Sequence, residues 1–204
     1  MAYMITHSLL RAWLRSISEN PYDDATQEDS SKEEFLRVLR REPTPTTEAM
    51  QNGIDFEDMV TALTQGRPTD PKKAAWLEAA QKVADIVRGG QLQYAAKQYV
   101  QAFGTEIMLY GKLDALKAGH IYDIKFSRSY ERGEYYDSTQ HPMYLQLVPE
   151  ALDFTYLVSN GTEVWTERYR REEPAPIMYT VNNFLSWLHT MGLMQLYQEK
   201  WLAR

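Results

Sequence analysis

Asp114, Asp123 and Lys125 are the residues of this chain whose types and spacing suggest chemistry. They lie in YGKLDALKAGHIYDIKFS, Tyr110 to Ser127, which reads as two strands, Ile107 to Leu116 and His120 to Phe126. Between them Lys117-Ala118-Gly119-His120 places a glycine where the backbone must reverse. A two-residue turn at Ala118-Gly119 sets Asp114 across from Asp123. Side chains alternate along a strand, so Lys125 joins the face of Asp123, while Ile124 and Phe126 point the other way. Two carboxylates at contact distance beside apolar residues repel, and a hard cation relieves the repulsion. Mg²⁺ takes oxygen ligands and is commonly held by one or two carboxylates together with a phosphate, so the cluster suits work on a phosphate ester. A plainer reading of the same residues is an exposed Asp123–Lys125 strand pair with Asp114 in a turn.

The elements that must position these residues can be read along the chain. Thr6 or Ser8 can cap an amphipathic helix, LLRAWLRSI, that ends near Asn20-Pro21. Residues 21–32 are polar and acidic and suggest a loop, followed by a short helix over about Lys32 to Arg41 and a break at Pro43-Thr44-Pro45. Thr46 or Thr47 caps a third helix running to about Thr64, in which Phe56, Val60 and Leu63 form an inward stripe. Glu57 adjoins that stripe and can turn its carboxylate inward. A helix from Pro71 to Val87 stops at Gly89-Gly90, and a strand at about Gln98 to Phe103 leads into the hairpin. After it, Tyr130, Tyr135 and Tyr136 occupy a Gly-containing loop, where aromatic faces can stack on bases or pack on the surface. Ser138 or Thr139 caps a helix to about Leu152 that carries Gln140 and Tyr144 on one face; His141, followed by Pro142, reads as a helix-start residue. Strands over 153–159 and 163–171 meet at Asn160-Gly161, and an amphipathic helix over Asn182 to Leu202 closes the chain.

Composition narrows the classes. The chain has 204 residues, no cysteine and four histidines, which exclude disulfides, thiolate zinc and cysteine-ligated iron–sulfur clusters, and disfavour imidazole-rich metal sites. No apolar run approaches the roughly 18 residues of a membrane span and no signal peptide is visible, so the expected location is cytoplasmic, with no membrane partner. A net charge of −6 argues against indiscriminate adhesion to polyanions but leaves room for a local basic strip, for which Lys112, Lys117, Lys125, Arg128 and Arg132 are candidates. There is no Gly-x-x-x-x-Gly-Lys-Ser/Thr loop and no Gly-x-Ser-x-Gly elbow.

Taken in order, Glu57 in a Gly-x-x-x-Glu context, Asp114 in GKLDAL, Asp123-Ile124-Lys125 in YDIKFS, and Gln140-x-x-x-Tyr144 in STQHPMYL resemble the successive motifs of the PD-(D/E)XK nuclease superfamily, in its RecB-like and lambda-exonuclease-like branch. The resemblance spans about Met4 to Arg170. It implies an α+β fold with an α/β/α restriction-endonuclease-like core: a central mixed sheet bearing the motif hairpin, flanked by helices. The whole chain would form one domain, helical over 1–90, with the sheet over 91–171 and a closing helix over 172–204. It further implies Mg²⁺ or Mn²⁺ held by Asp114, Asp123, the main-chain carbonyl of Ile124, and Glu57. Lys125 would orient or activate water and stabilise charge on the phosphate, Gln140 and Tyr144 would position the DNA backbone, and Lys112 and Arg128 would bind substrate. Many relatives have a histidine where Glu57 stands, and the absence of cysteine separates this chain from relatives with an iron–sulfur cluster. The expected activity is metal-dependent DNA hydrolysis by a stand-alone, phage-type nuclease, an exonuclease in recombination, with a homo-oligomer or a phage recombination partner as the assemblies the analogy suggests. The alternative is an inactive nuclease fold serving as a DNA- or partner-binding subunit.

Overall fold

The computed structural model describes residues 1–18 and 25–203. Its scaffold is a long antiparallel hairpin, β2 (Gln91–Ala102) and β3 (Thr105–Lys117), paired from Ala102↔Thr105 to Gln91↔Leu116. The strand β4 (His120–Phe126) folds back on β3 through Ala118 and Gly119, both in the left-handed region (φ 51° and 81°), the two-residue turn geometry that matches strand twist. From β4 the chain crosses through α5 (Gln140–Leu147) to β5 (Asp153–Ser159), which runs parallel to β4, and β6 (Val164–Arg170) pairs antiparallel with β5. A short strand β1 (Tyr3–Ile5) adds in parallel to the first half of β3, at Ile107–Leu109. The sheet is therefore mixed, in the order β1-β3-β4-β5-β6, with β2 on the far side of β3.

Two apolar layers cover the sheet. One face carries Ile107, Leu109, Leu113, Ile121, Phe154, Tyr156 and Val158, and packs against α1 (His7–Ile17), α2 (Ala25–Arg40), α5, α6 (Ile177–Thr190) and α7 (Met194–Lys200). The other carries Ala115, Ile124 and Leu157 under Phe56, Met59 and Val60 of α3 (Glu48–Thr64) and Ala80, Val83 and Val87 of α4 (Leu77–Val87). The result is an α+β core with a central mixed sheet between helices, as the sequence implies. Gly111 is needed for one of these contacts: a Cβ there would stand 2.4 Å from Tyr144 Cε1 and 2.9 Å from Leu147 Cδ1, so only glycine lets α5 lie flat on β3.

Several sequence expectations are corrected. Where a polar loop is expected over 21–32, α2 already begins at Ala25, because no helix breaker separates Ala25 from Arg40 and Phe35 and Leu39 bury one face; the expected Asn20-Pro21 end of α1 lies outside the described residues. The lead-in strand starts at Gln91, well before Gln98, and turns at Phe103-Gly104 (φ 51° and 68°). Residues Pro71–Trp76 form a 3-10 turn ahead of α4, with Lys73 off helical geometry. Helix α5 ends at Leu147, just before Pro149, and not at Leu152. The loop between β5 and β6 is four residues long, organised by Asn160 Oδ1 accepting from the main-chain N–H of Thr162 and Glu163. The closing helix is two helices broken at Gly192 (φ 69°), and the N-terminal part supplies the strand β1 as well as helices. Among the described residues no helix is long and apolar enough to cross a membrane.

Candidate active site

On the edge of β3 that faces β4, β1 pairs with Ile107–Leu109 and β4 with Ala115–Lys117, so residues 110–114 have no ladder partner there among the described residues. Asp114 sits at the end of this gap. The register expected from the turn holds for Lys117↔His120, Leu116↔Ile121 and Ala115↔Tyr122, and then the strands part. In place of the next ladder bond, Asp114 Oδ2 accepts from the main-chain N–H of Ile124 at 2.7 Å. On the opposite edge the β2–β3 ladder likewise passes from Leu92↔Ala115 to Tyr94↔Leu113, leaving Gln93 and Asp114 unpaired. Leu113 packs into one apolar layer and Ala115 into the other, and across from them Tyr94 and Leu92 do the same, so both strands change face at Gln93 and Asp114 with no shift of register. At this unpaired position the Asp114 carboxylate turns toward β4 and the Ile124 N–H.

Asp123 is the most buried member of the cluster, at 3% exposure. Gln140, the first residue of α5, donates its side-chain N–H to Asp123 Oδ1. Lys125 Nζ lies 2.7 Å from Asp123 Oδ2, as an ion pair without an aligned hydrogen bond, so that buried oxygen retains a free bonding direction. Asp123 thus has Lys125 and Gln140 as neighbours and Asp114 bonds the adjacent Ile124 N–H, but the expected ladder pairing of Asp114 with Asp123 is not formed.

Glu57 approaches from α3. Its carboxylate accepts from the side-chain amide of Gln93, and burial followed by the charges of Asp123 and Asp58 raises its pKa. Asp114 is pushed well above the ordinary carboxylate range by burial first, then by the negative charges of Asp123 and Glu57. These three acids therefore share one electrostatic environment. Gln93, which no sequence motif marks, has a left-handed backbone (φ 53°), an arrangement that costs a non-glycine residue about 1–2 kcal/mol and is characteristic of functional sites.

Tyr144 is buried, with its hydroxyl donating to the Lys112 carbonyl at 3.1 Å and its ring edge-on to His7 at 5.6 Å, so it braces β3 against α5 and α1. His7, also unmarked by any motif, opens α1 under the Thr6 cap; its carbonyl accepts from Thr139 Oγ1, and burial followed by the nearby Lys125 charge lowers its pKa to about 3, leaving the ring neutral. The basic candidates diverge in place. Lys112 is exposed near Glu57, Arg128 forms an exposed ion pair with Glu48 at 3.0 Å, and Lys117 is tied to the Ile86 carbonyl at 2.5 Å, which removes it from a substrate strip. His141 is buried, stacked on Tyr169 at 4.0 Å and with Nδ1 3.2 Å from the Tyr156 hydroxyl. Among the described residues no three His, Cys, Asp or Glu side chains gather closely enough to hold a metal by themselves.

No family model and no curated protein matches the chain. It is similar to the crystal structure of SSO0001, with a TM-score of 0.51 at 15% identity, covering 93% of this chain and 78% of that one. It is also similar to Rai1 of Scheffersomyces stipitis, with a TM-score of 0.38 at 14% identity, covering 93% of this chain and 61% of that one. The first similarity is one of fold; the second is too slight to support an argument.

Proposed function

We propose that this protein is a metal-dependent deoxyribonuclease of the PD-(D/E)XK type, RecB-like and lambda-exonuclease-like, which hydrolyses DNA phosphodiester bonds as an exonuclease. One observation supports this reading above others: Asp114, Asp123 and Lys125 at a strand splay are joined by Gln140 from α5 and share their electrostatic field with Glu57 from α3, residues drawn from four separate elements of the chain. The residues fit a divalent cation. Two mutually repelling carboxylates flank the Ile124 main chain, and buried Asp123 Oδ2 keeps an unused bonding direction. Asp114, Asp123 and the Ile124 carbonyl would hold Mg²⁺ or Mn²⁺, with Glu57 at the periphery, where Gln93 now engages it. When bound, the cation supplies charge neutralisation and Lewis acidity at the phosphate.

The chain's own groups do the rest. Lys125 Nζ, anchored by Asp123, presents a proton and positive charge to a non-bridging phosphate oxygen, where charge grows during attack. Gln140 fixes the rotamer of Asp123, and Tyr144 fixes β3 beside it. A second reading, an inactive nuclease fold that binds DNA or a partner, is favoured by one feature: both Asp123 oxygens already have protein partners.

End-labelled linear and covalently closed circular DNA, incubated with Mg²⁺ or with EDTA, separate the two. The expected result is Mg²⁺-dependent shortening of the linear molecule, a resistant circle, and a loss of about a hundredfold or more in Lys125→Ala, the scale on which removing a charge-stabilising group acts. Binding without cleavage in Mg²⁺ would leave only the second reading.

A further inference from the structure

Glu167 lies on β6, outside every motif, and is 8% exposed. Its Oε2 accepts from the Tyr130 hydroxyl at 2.6 Å and the Gly133 N–H at 3.1 Å, and its Oε1 accepts from the Tyr135 N–H at 3.2 Å and the Tyr169 hydroxyl. Each oxygen thus takes one hydroxyl and one backbone N–H. Three of the four donors belong to the tyrosine-bearing loop that follows β4, so this single carboxylate fixes the course of the loop across the sheet.

The loop delivers one side chain to the acids. Tyr135 stacks on Tyr156 with ring centroids 4.3 Å apart and planes at 21°. Tyr156 is the register neighbour of Asp123 on the parallel strand and shares its face, and Lys125 Nζ lies 6.0 Å from the Tyr156 ring centroid. Tyr135 also lies near-parallel to Tyr130, with ring centroids 6.2 Å apart, and Tyr130 leans on Trp165. The Tyr135 ring is therefore held by two aromatic neighbours, partly exposed, and its hydroxyl makes no hydrogen bond to a described residue. A tyrosine serving only to fill the core would bury or bond that group. A phenol is protonated at neutral pH and is a good donor to a phosphate oxygen.

We propose that Tyr135 contacts the phosphate backbone of the substrate beside the Asp123–Lys125 face, and that Glu167 is the positioning residue that sets it there by latching the loop. The inference rests on the nuclease reading above.

The test is a mutant cycle in KM and kcat, with equilibrium binding of a fluorescent oligonucleotide in EDTA as a readout independent of turnover. Tyr135→Phe keeps both ring contacts and removes only the hydroxyl. It is expected to raise KM and weaken binding about tenfold, with kcat and thermal midpoint close to the parent's, since a hydrogen bond to a charged group contributes on that scale. Glu167→Gln replaces one acceptor oxygen with an NH₂ that opposes a backbone N–H, and is expected to raise KM at least as much. Because Glu167 acts through Tyr135, combining the two changes should add little to KM beyond Glu167→Gln alone. Tyr130→Phe, which removes one latch bond, stands in if Glu167→Gln does not fold, with a smaller rise expected. A parent that cleaves while Tyr135→Phe matches it in KM and binding overturns this inference alone, and fully additive effects overturn the positioning role of Glu167. A parent that neither binds nor cleaves overturns the nuclease reading and this inference with it.

Discussion

Replacing Lys125 with methionine keeps the aliphatic stem and removes the one cation paired with Asp123 among the described residues. The side chain of Asp123 is 4% exposed and that of Lys125 31%, with 2.7 Å between Oδ2 and Nζ. At an effective dielectric of about 20 the gross attraction at this separation is roughly 6 kcal/mol, most of it offset by the desolvation of both groups. Breaking a fully buried pair by removing one partner costs about 3–5 kcal/mol. Here Lys125 is partly solvated, Gln140 still donates to Asp123, and Asp114 can relieve part of the repulsion by taking up a proton. The expected loss is therefore about 2 kcal/mol in metal-free protein at pH 8, which for a chain of this size lowers the melting temperature by roughly 4–8 °C.

The pH dependence of this loss has a definite sign. The folded-state pKa values of Asp114 and Glu57 lie above their ordinary values, so these groups oppose folding increasingly as pH rises from the ordinary carboxylate range through their folded values. Lys125 mitigates that opposition, so its removal should be most costly at pH 8 and progressively less so toward pH 5. Melting curves in EDTA at the two pH values measure it, and the double variant Asp123→Asn/Lys125→Met should recover most of the lost stability. A Lys125→Met protein as stable as the parent at both pH values, or one more impaired at pH 5 than at pH 8, would refute the picture of one cation restraining three carboxylates.

Millimolar Mg²⁺ or Mn²⁺ should raise the parent's melting temperature, by the equivalent of about 2.7 kcal/mol if the ion stands at a hundred times its dissociation constant, and should do little for Asp123→Asn; equal shifts in the two proteins would dismiss Asp123 as a ligand. Gly111→Ala forces a methyl group to within 2.4 Å of the Tyr144 ring, so a loss of about 1–3 kcal/mol in urea unfolding is expected, and unchanged stability would mean that α5 does not bear on β3 as described. Glu167→Gln should cost about 1–3 kcal/mol, because hydroxyls can rotate to accept from the new NH₂ but a backbone N–H cannot. Its carboxyl pKa is lowered in the folded state as its four donors outweigh burial, so its contribution is present above the ordinary glutamate range and fades as pH falls through the folded value; the difference between Glu167→Gln and parent in acid titration should therefore shrink toward low pH.

Short-range rules made part of the site readable from the chain. The Ala118-Gly119 turn fixes where β4 folds back, alternation puts Asp123 and Lys125 on one face, and the Thr6 and Thr47 caps mark where α1 and α3 begin. Each depends on a few consecutive residues, so sequence alone determines it. Strand β1 is three residues long and exists only because Ile107–Leu109 offers a free edge, which no local pattern announces. The change of face at Asp114 is shared by two strands, at Gln93 and Asp114, and the break between α6 and α7 at Gly192 falls where the apolar spacing continues on both sides. Glu167 stands in TERYR, where alternating charge reads as a solvated edge; it becomes a buried latch only when a loop some 35 residues earlier in the chain brings it two N–H groups and a hydroxyl. Burial, register and electrostatic coupling depend on which distant segments meet, and that was decided by packing against the sheet.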